Sequence, residues 1–264
     1  MNFEFLIGLM VLGSFTGFLA GLLGIGGGML LVPFLTFMFT REAFGSELVV
    51  HMAIATSLTT ILFTSASSVR AHHRRGAVRW DIAPWMGVGA VVGTFLGAQF
   101  ASLLKSGYLA IFFAVFVGFS ALRMLLVSGK PTAPEHILKP VARPALSGAG
   151  GGFLTVPFLS WRGLNMRNAV ATSAAMGFPI AAGGLFGYVV AGLNAPGLPQ
   201  YSLGFVYLPA LFACAATSVL LAPVGAGVAH RINVQHLRRI FAVLLLTLAS
   251  YMLWKGVHVM GWVA

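Results

Sequence analysis

Seven stretches, 3–23, 49–69, 82–104, 108–127, 169–190, 205–223 and 240–257, are almost wholly apolar. Each is long enough to cross a hydrocarbon core of roughly 30 Å at about 1.5 Å per residue. One such run could be a buried core helix; seven cannot. Only 8% of the chain is charged and 58% is hydrophobic, where a soluble domain carries about a quarter charged residues. A surface made from this composition is not a water-facing one. The expected fold is an all-α polytopic membrane protein. The opening Met1-Asn-Phe-Glu4 has no positive residue ahead of its apolar run and no small-residue cleavage site follows, so the first run is expected to stay as a membrane helix rather than act as a secretory signal.

The net charge of +11 would point to nucleic acid in a soluble protein, but the positions decide otherwise. Thirteen of the 16 lysines and arginines fall in four clusters, at 70–79, 123–143, 162 with 167, and 231–239. Basic residues gathered at the ends of spans set orientation in the membrane. The loops are too short to offer bases a stacking surface beside the charge, so no nucleic-acid partner is expected. The single cysteine, Cys214, excludes an intramolecular disulfide and a cysteine metal site, and it is expected to be a buried packing residue. No metal-binding or catalytic constellation is evident, and no cofactor is called for.

The chain is also duplicated. Gly24-Ile-Gly-Gly-Gly-Met-Leu-Leu-Val-Pro-Phe-Leu35 corresponds to Gly148-Ala-Gly-Gly-Gly-Phe-Leu-Thr-Val-Pro-Phe-Leu159, and Ala53-Ile-Ala-Thr-Ser57 to Ala169-Val-Ala-Thr-Ser173. Gly97 to Phe113 then aligns with Gly225 to Phe241. The order of landmarks is the same in both halves, which marks a repeat. The expected division is a first membrane repeat over 1–127, a basic cytoplasmic linker over 128–147 and a second repeat over 148–264. With the basic clusters inside, 49–69 runs from outside to inside while its counterpart 169–190 runs the other way. The fold is therefore expected to consist of two inverted repeats, each with a glycine-broken re-entrant hairpin followed by three transmembrane helices. That is a plan used by secondary transporters whose sites lie near the midplane.

Three consecutive glycines, each costing a helix about 1 kcal/mol relative to alanine, end it. Freed backbone cannot face lipid and must line protein or a water-filled cavity. A helix restarting there presents unpaired N–H groups carrying roughly half a positive charge, which is an anion site without a buried lysine or arginine. The candidate binding residues are Gly26, Gly27, Gly28 and Met29, with Gly150, Gly151, Gly152 and Phe153 in the second half. The pairs Thr56-Ser57 and Thr172-Ser173 offer hydroxyls to substrate oxygens or, alternatively, bond back to the preceding helical turn. The series Gly13, Gly17, Gly21 and Gly89, Gly93, Gly97 are expected to be close-packing faces. His51, His72 and His73 are expected to be solvated, and Gln99 lines a path or lies at an interface. No carboxylate pair lies within an apolar run, which argues against a carboxylate-based cation site.

On these motifs, the paired Gly-x-Gly-Gly-Gly-x-Leu-x-Val-Pro segments and the Ala-Thr-Ser one helix later, the chain resembles the TauE/SafE sulfite exporter family, also called the toluene-sulfonate uptake permease family. The resemblance extends over most of the chain. It implies a secondary carrier of sulfite, an organosulfonate or a related sulfur-containing anion in a bacterial inner membrane, with the glycine segments and Thr-Ser pairs at the substrate. The chain departs from the family pattern in its middle, where 139–146 is too short and too charged to be the helix leading into the second glycine cluster. Two other classes fit the residues: an anion channel, and an intramembrane enzyme or assembly factor for sulfur metabolites, for which Cys214 would be the lone nucleophile. The partners expected are a small anion and the lipid bilayer, with a homodimer left open.

Overall fold

The computed structural model describes residues 3–23, 28–126, 155, 159, 163–164, 166–228 and 234–261. These form eight α-helices and one two-residue hairpin: α1 Phe3–Leu23, α2 Gly28–Arg41, α3 Val49–His73, α4 Ala83–Ser102, α5 Ser106–Leu126, α6 Met166–Gly192, β1 Ser202–Leu203, β2 Val206–Tyr207, α7 Leu208–Val228 and α8 Val234–Val259. In the hairpin Ser202 pairs with Tyr207 and Leu203 with Val206. Six helices, all except α2 and α5, are long and apolar enough to span a membrane. The seventh expected span, 108–127, falls in α5, whose apolar part Ser106–Leu122 is shorter. The lead-in at 139–146 and the linker at 128–147 lie outside the described residues.

Large apolar side chains face outward along these helices, including Phe112 at 66%, Phe119 at 55%, Phe212 at 66% and Leu220 at 73% exposure. Burying or exposing a side chain of this size in water changes its free energy by about 1.5–3 kcal/mol, so such a surface belongs against hydrocarbon. The protein is a multi-pass membrane protein.

Local signals set the helix ends. α2 starts at Gly28, the last of three consecutive glycines, and carries Pro33 in its second turn. Pro84 lies in the first turn of α4, where a missing N–H is harmless. α3 ends in a Schellman turn: Gly76 takes φ +63° while the Gly76 and Ala77 N–H groups reach the carbonyls of His73 and His72 at 2.9 and 3.2 Å.

Glycine and other small residues fix how the helices pack. α1 lies alongside α7, with Gly13 against Cys214 and Thr217, Gly17 against Ser218, and Gly21 against Ala222 and Ala226. α7 returns the contact, with Gly225 on Phe18 and Leu22. The two helices run in the same direction with backbones touching, so Gly13, Gly17 and Gly21 are a packing seam as expected. α4 lies parallel to α6 in the same manner, with Gly87 on Pro179, Gly183 on Val91 and Thr94, and Gly187 on Phe95 and Ala98. Here the close approaches are at Gly183 and Gly187 of α6, whereas on α4 a Cβ at Gly87 would make only ordinary contact with Pro179 and one at Gly97 would meet nothing within 4 Å. Packing therefore does not account for Gly97 in this chain.

Two further pairs run in opposite directions. In α3 and α6, Leu58 lies against Gly184 while Ile61 and Ser65 lie against Gly177. In α5 and α8, Gly107 meets Gly256 and Met260 while Gly118 meets Ala249. Each of these pairs joins a helix of the first half to the helix at the corresponding place in the second.

Candidate functional site

α3, the most buried of the six spanning helices, and α6 carry the two Thr-Ser pairs. Thr56, Ser57, Thr172 and Ser173 are all buried. Of the glycine segments, Gly28 and Met29 are described, whereas Gly26, Gly27, Gly150, Gly151, Gly152 and Phe153 lie outside the described residues. Gly28 rests against the Ile61 side chain, which one helical turn separates from Ser57 on α3. Ile61 also approaches Gly177 on α6, so the start of α2, the Ser57 side of α3 and the middle of α6 meet at one place. The Met29 side chain turns away into an apolar cluster with Leu19, Leu22, Leu30, Val117 and Leu245. Past the second glycine run, Thr155 and Leu159 are buried.

The hydroxyls are used in a way the sequence did not disclose. Most threonines of the bundle bond back one turn, as Thr59 does to Ala55 at 2.8 Å and Thr60 to Thr56 at 2.9 Å. Thr56 and Thr172 instead accept backbone N–H groups from far along the chain. Tyr207 N–H donates to Thr56 Oγ1 at 3.0 Å, and Arg79 N–H donates to Thr172 Oγ1 at 3.0 Å. The donors themselves are equivalent. Gly76-Ala-Val-Arg79 corresponds to Gly204-Phe-Val-Tyr207 at the spacing by which Gly97 aligns with Gly225. Both glycines are left-handed, at φ +63° and +55°, and both segments lead into a helix, α4 or α7. A glycine shared at that spacing was the signal available in the sequence.

The Ser57 hydroxyl is buried and has no hydrogen-bond partner among the described residues, as is that of Ser68. From Thr56 every fourth residue of α3, namely Thr60, Thr64, Ser68 and His72, is polar and buried, which makes a polar seam inside an apolar bundle. Thr64 crosses to α7, where its Oγ1 lies 2.6 Å from Ser218 Oγ.

Other expectations divide. His51 is 3% exposed rather than solvated. Its Nδ1 lies 3.2 Å from Ser106 Oγ and its Nε2 3.2 Å from the Ala101 carbonyl, while the Ser106 hydroxyl donates to the Glu47 carbonyl at 2.5 Å. The ring stacks on Phe205 at 5.4 Å. It joins the start of α3 to the end of α4 through the Ala101 carbonyl and to the start of α5 through the Ser106 hydroxyl. His72 is likewise buried, whereas His73 is exposed and accepts from Trp80 Nε1 at 2.9 Å. Gln99 is an interface residue, donating to the Gly187 carbonyl at 3.2 Å across α4 and α6. Cys214 is buried and its thiol reaches the Leu9 carbonyl at 3.3 Å. Outside the spans, the Arg79 guanidinium grips Asp81 at 2.7 Å and holds its carboxyl below the usual carboxylate range. No group of three metal-ligating side chains occurs among the described residues.

The arrangement is a buried, hydroxyl-lined crossing of two helices beside the start of α2, with no catalytic set among the described residues. A family model described as sulfite exporter TauE/SafE matches residues 9–252. The chain belongs to the TauE/SafE sulfite exporter family. It is therefore a membrane transporter, not an enzyme. A protein of Haemophilus influenzae named "Probable membrane transporter protein" is 32% identical over 263 residues, covering 96% of this chain and 100% of its own. One of the same description from Methanocaldococcus jannaschii is 28% identical, covering 96% and 98%. Another, YdhB of Bacillus subtilis, is 28% identical over 67% of this chain and 76% of its own. No solved structure matches the chain.

Proposed function

We propose that the protein is a secondary carrier that exports a small sulfur-containing anion, sulfite or an organosulfonate, across a bacterial inner membrane by alternating access. In this reading residues 1–127 and 148–264 are inverted halves joined by the basic linker 128–147. The observation that carries it is the antiparallel course of corresponding helices, α3 against α6 and α5 against α8. Two copies related by an axis in the membrane plane pair equivalent helices head to tail, and such repeats put the substrate near their interface.

The anion sits at the glycine breaks, with Gly26, Gly27, Gly28 and Met29 on one side and Gly150, Gly151, Gly152 and Phe153 on the other. Thr56, Ser57, Thr172 and Ser173 flank it. An isolated anion in a medium of low dielectric costs tens of kcal/mol by Born estimates. The first N–H groups of a helix lack internal acceptors and carry partial positive charge, which offsets much of that. For α2 these begin at Gly28. The buried Ser57 hydroxyl, with its hydrogen uncommitted among the described residues, supports the same reading, because a buried donor of this kind gains most from an anionic acceptor.

The test is uptake. Proteoliposomes should accumulate labelled sulfite or a sulfonate saturably above protein-free controls, and Ser57→Ala should lower that uptake. Lack of uptake across sulfite, sulfate, thiosulfate and sulfonates rules the substrate class out. Single-channel conductance without counterflow would favour the channel.

A further inference from the structure

The motif threonines have a role that no substrate contact explains. Thr56 on α3 holds the segment entering α7, and Thr172 on α6 holds the segment entering α4. Donor and acceptor come from opposite halves in both cases, and each contact is the counterpart of the other. In both, the donor follows a left-handed glycine by three residues. The held segments are well buried: Ala77 and Val78 at one contact, and Phe205, Val206 and Tyr207 at the other. α3 and α6 cross in opposite directions at Ile61 and Gly177, and each threonine precedes its crossing residue by five positions. At about 1.5 Å per residue, the two contacts lie roughly 15 Å apart, on opposite sides of the crossing.

We infer that Thr56 and Thr172 are reciprocal clasps, positioning residues by which each half fixes the helix entry of the other. The Thr56 clasp sets the seat of α7 on α3, and the Thr172 clasp sets the seat of α4 on α6. Valine has nearly the shape of threonine but no acceptor, so it removes the hydrogen bond from the Tyr207 or Arg79 N–H. Because the clasps lie at opposite ends of the crossing, loosening one frees one helix and leaves the other seated. The inference does not depend on the substrate.

The native cysteine supplies the measurement. Cys214 lies on α7, about two turns beyond the Thr56 clasp, and is fully buried. Its counterpart on α4, at the same repeat spacing, is the buried Met86. The full-length protein is reacted with N-ethylmaleimide under native conditions, following Cys214 in one series and Met86→Cys in a Cys214→Ala background in the other. Losing one buried hydrogen bond should speed local opening about tenfold. The expected pattern is crossed. Thr56→Val accelerates labelling at position 214 and leaves position 86 within about twofold, by the same reckoning. Thr172→Val does the reverse. Thr56→Ser and Thr172→Ser keep the native rates, since they retain the oxygen. Should a valine variant fail to fold, alanine at the same position removes the acceptor with less bulk. Equal acceleration of both sites, no acceleration of either, or failure of the serine variants to retain native rates overturns the inference. None of these results bears on whether sulfite is carried, which uptake decides separately.

Discussion

A single methyl group at Gly21 should separate two helices that now touch through their backbones. A Cβ there would lie 2.8 Å from the Ala222 carbonyl carbon and 2.9 Å from the Ala226 nitrogen, with the Ala222 oxygen closer still. These are backbone atoms and cannot swing aside, so α1 and α7 must part by on the order of 1 Å. A gap of that size forfeits a quarter to a half of each dispersion contact. If the seam comprises about 40 atom pairs at ~0.15 kcal/mol, the loss is roughly 1.5–3 kcal/mol, matching the usual penalty for overpacking. Lipid cannot refill a seam between helices as water-driven burial would in a soluble core. Gly97 is the control, since a Cβ there meets nothing within 4 Å. Both Gly21→Ala and Gly97→Ala gain the same helix propensity of about 1 kcal/mol, so their difference isolates packing. Unfolding by sodium dodecyl sulfate in mixed micelles, followed by circular dichroism, should place Gly21→Ala about 1.5–3 kcal/mol below Gly97→Ala. Equal stability of the two variants would refute the account of the seam.

Gly76→Ala and Gly204→Ala should both destabilise because each glycine has positive φ, but unequally. Nothing lies within 4 Å of a Cβ at Gly76, so about 1 kcal/mol of backbone strain is expected, whereas at Gly204 a Cβ also meets Val189 and the loss should be larger in the same titration. His51→Ala removes one hydrogen bond each from the Ala101 carbonyl and the Ser106 hydroxyl, which keep Leu104 N–H and the Glu47 carbonyl, and should cost about 1–3 kcal/mol, with His51→Gln recovering part of it in thermal melts. At Asp81 the folded carboxyl titrates below its ordinary value of 3.8, so its stabilisation is present above that pH and is lost as the pH falls through the lower folded value. Both partners are well exposed, and Asp81→Asn should leave the melting temperature at pH 7 nearly unchanged.

Span positions, the duplication and the start of a helix at Gly28 were all legible in the chain, because each is set by residues close together in sequence. The same holds for Gly13, Gly17 and Gly21, whose four-residue spacing is itself the packing face. Gly97 has that spacing and packs against nothing, because on α4 and α6 the small residues that admit the neighbour are Gly183 and Gly187. Partners defeat a local pattern in the same way at Thr56. Its hydroxyl looked like a helix back-bond or a substrate donor, yet its oxygen serves an N–H from Tyr207, far along the chain. His51 looked solvated because it opens a span. It is buried because the end of α4 brings the Ala101 carbonyl, and the start of α5 the Ser106 hydroxyl, within hydrogen-bond reach of its ring. At the Thr56-Ser57 pair, the hydroxyls were legible in the sequence and the long-range hydrogen bond that occupies only the first of them was not.

The seam between α1 and α7 also has a consequence in time. α1 is synthesised before α7, and the helix it is shaped to touch begins at Leu208. At about 5–20 residues per second, roughly ten to forty seconds pass before that partner exists. Throughout this interval a stripe of glycine backbone waits in the membrane uncovered. The seam can close only after α7 has been inserted, so the packing of α1 waits on a helix far along the chain.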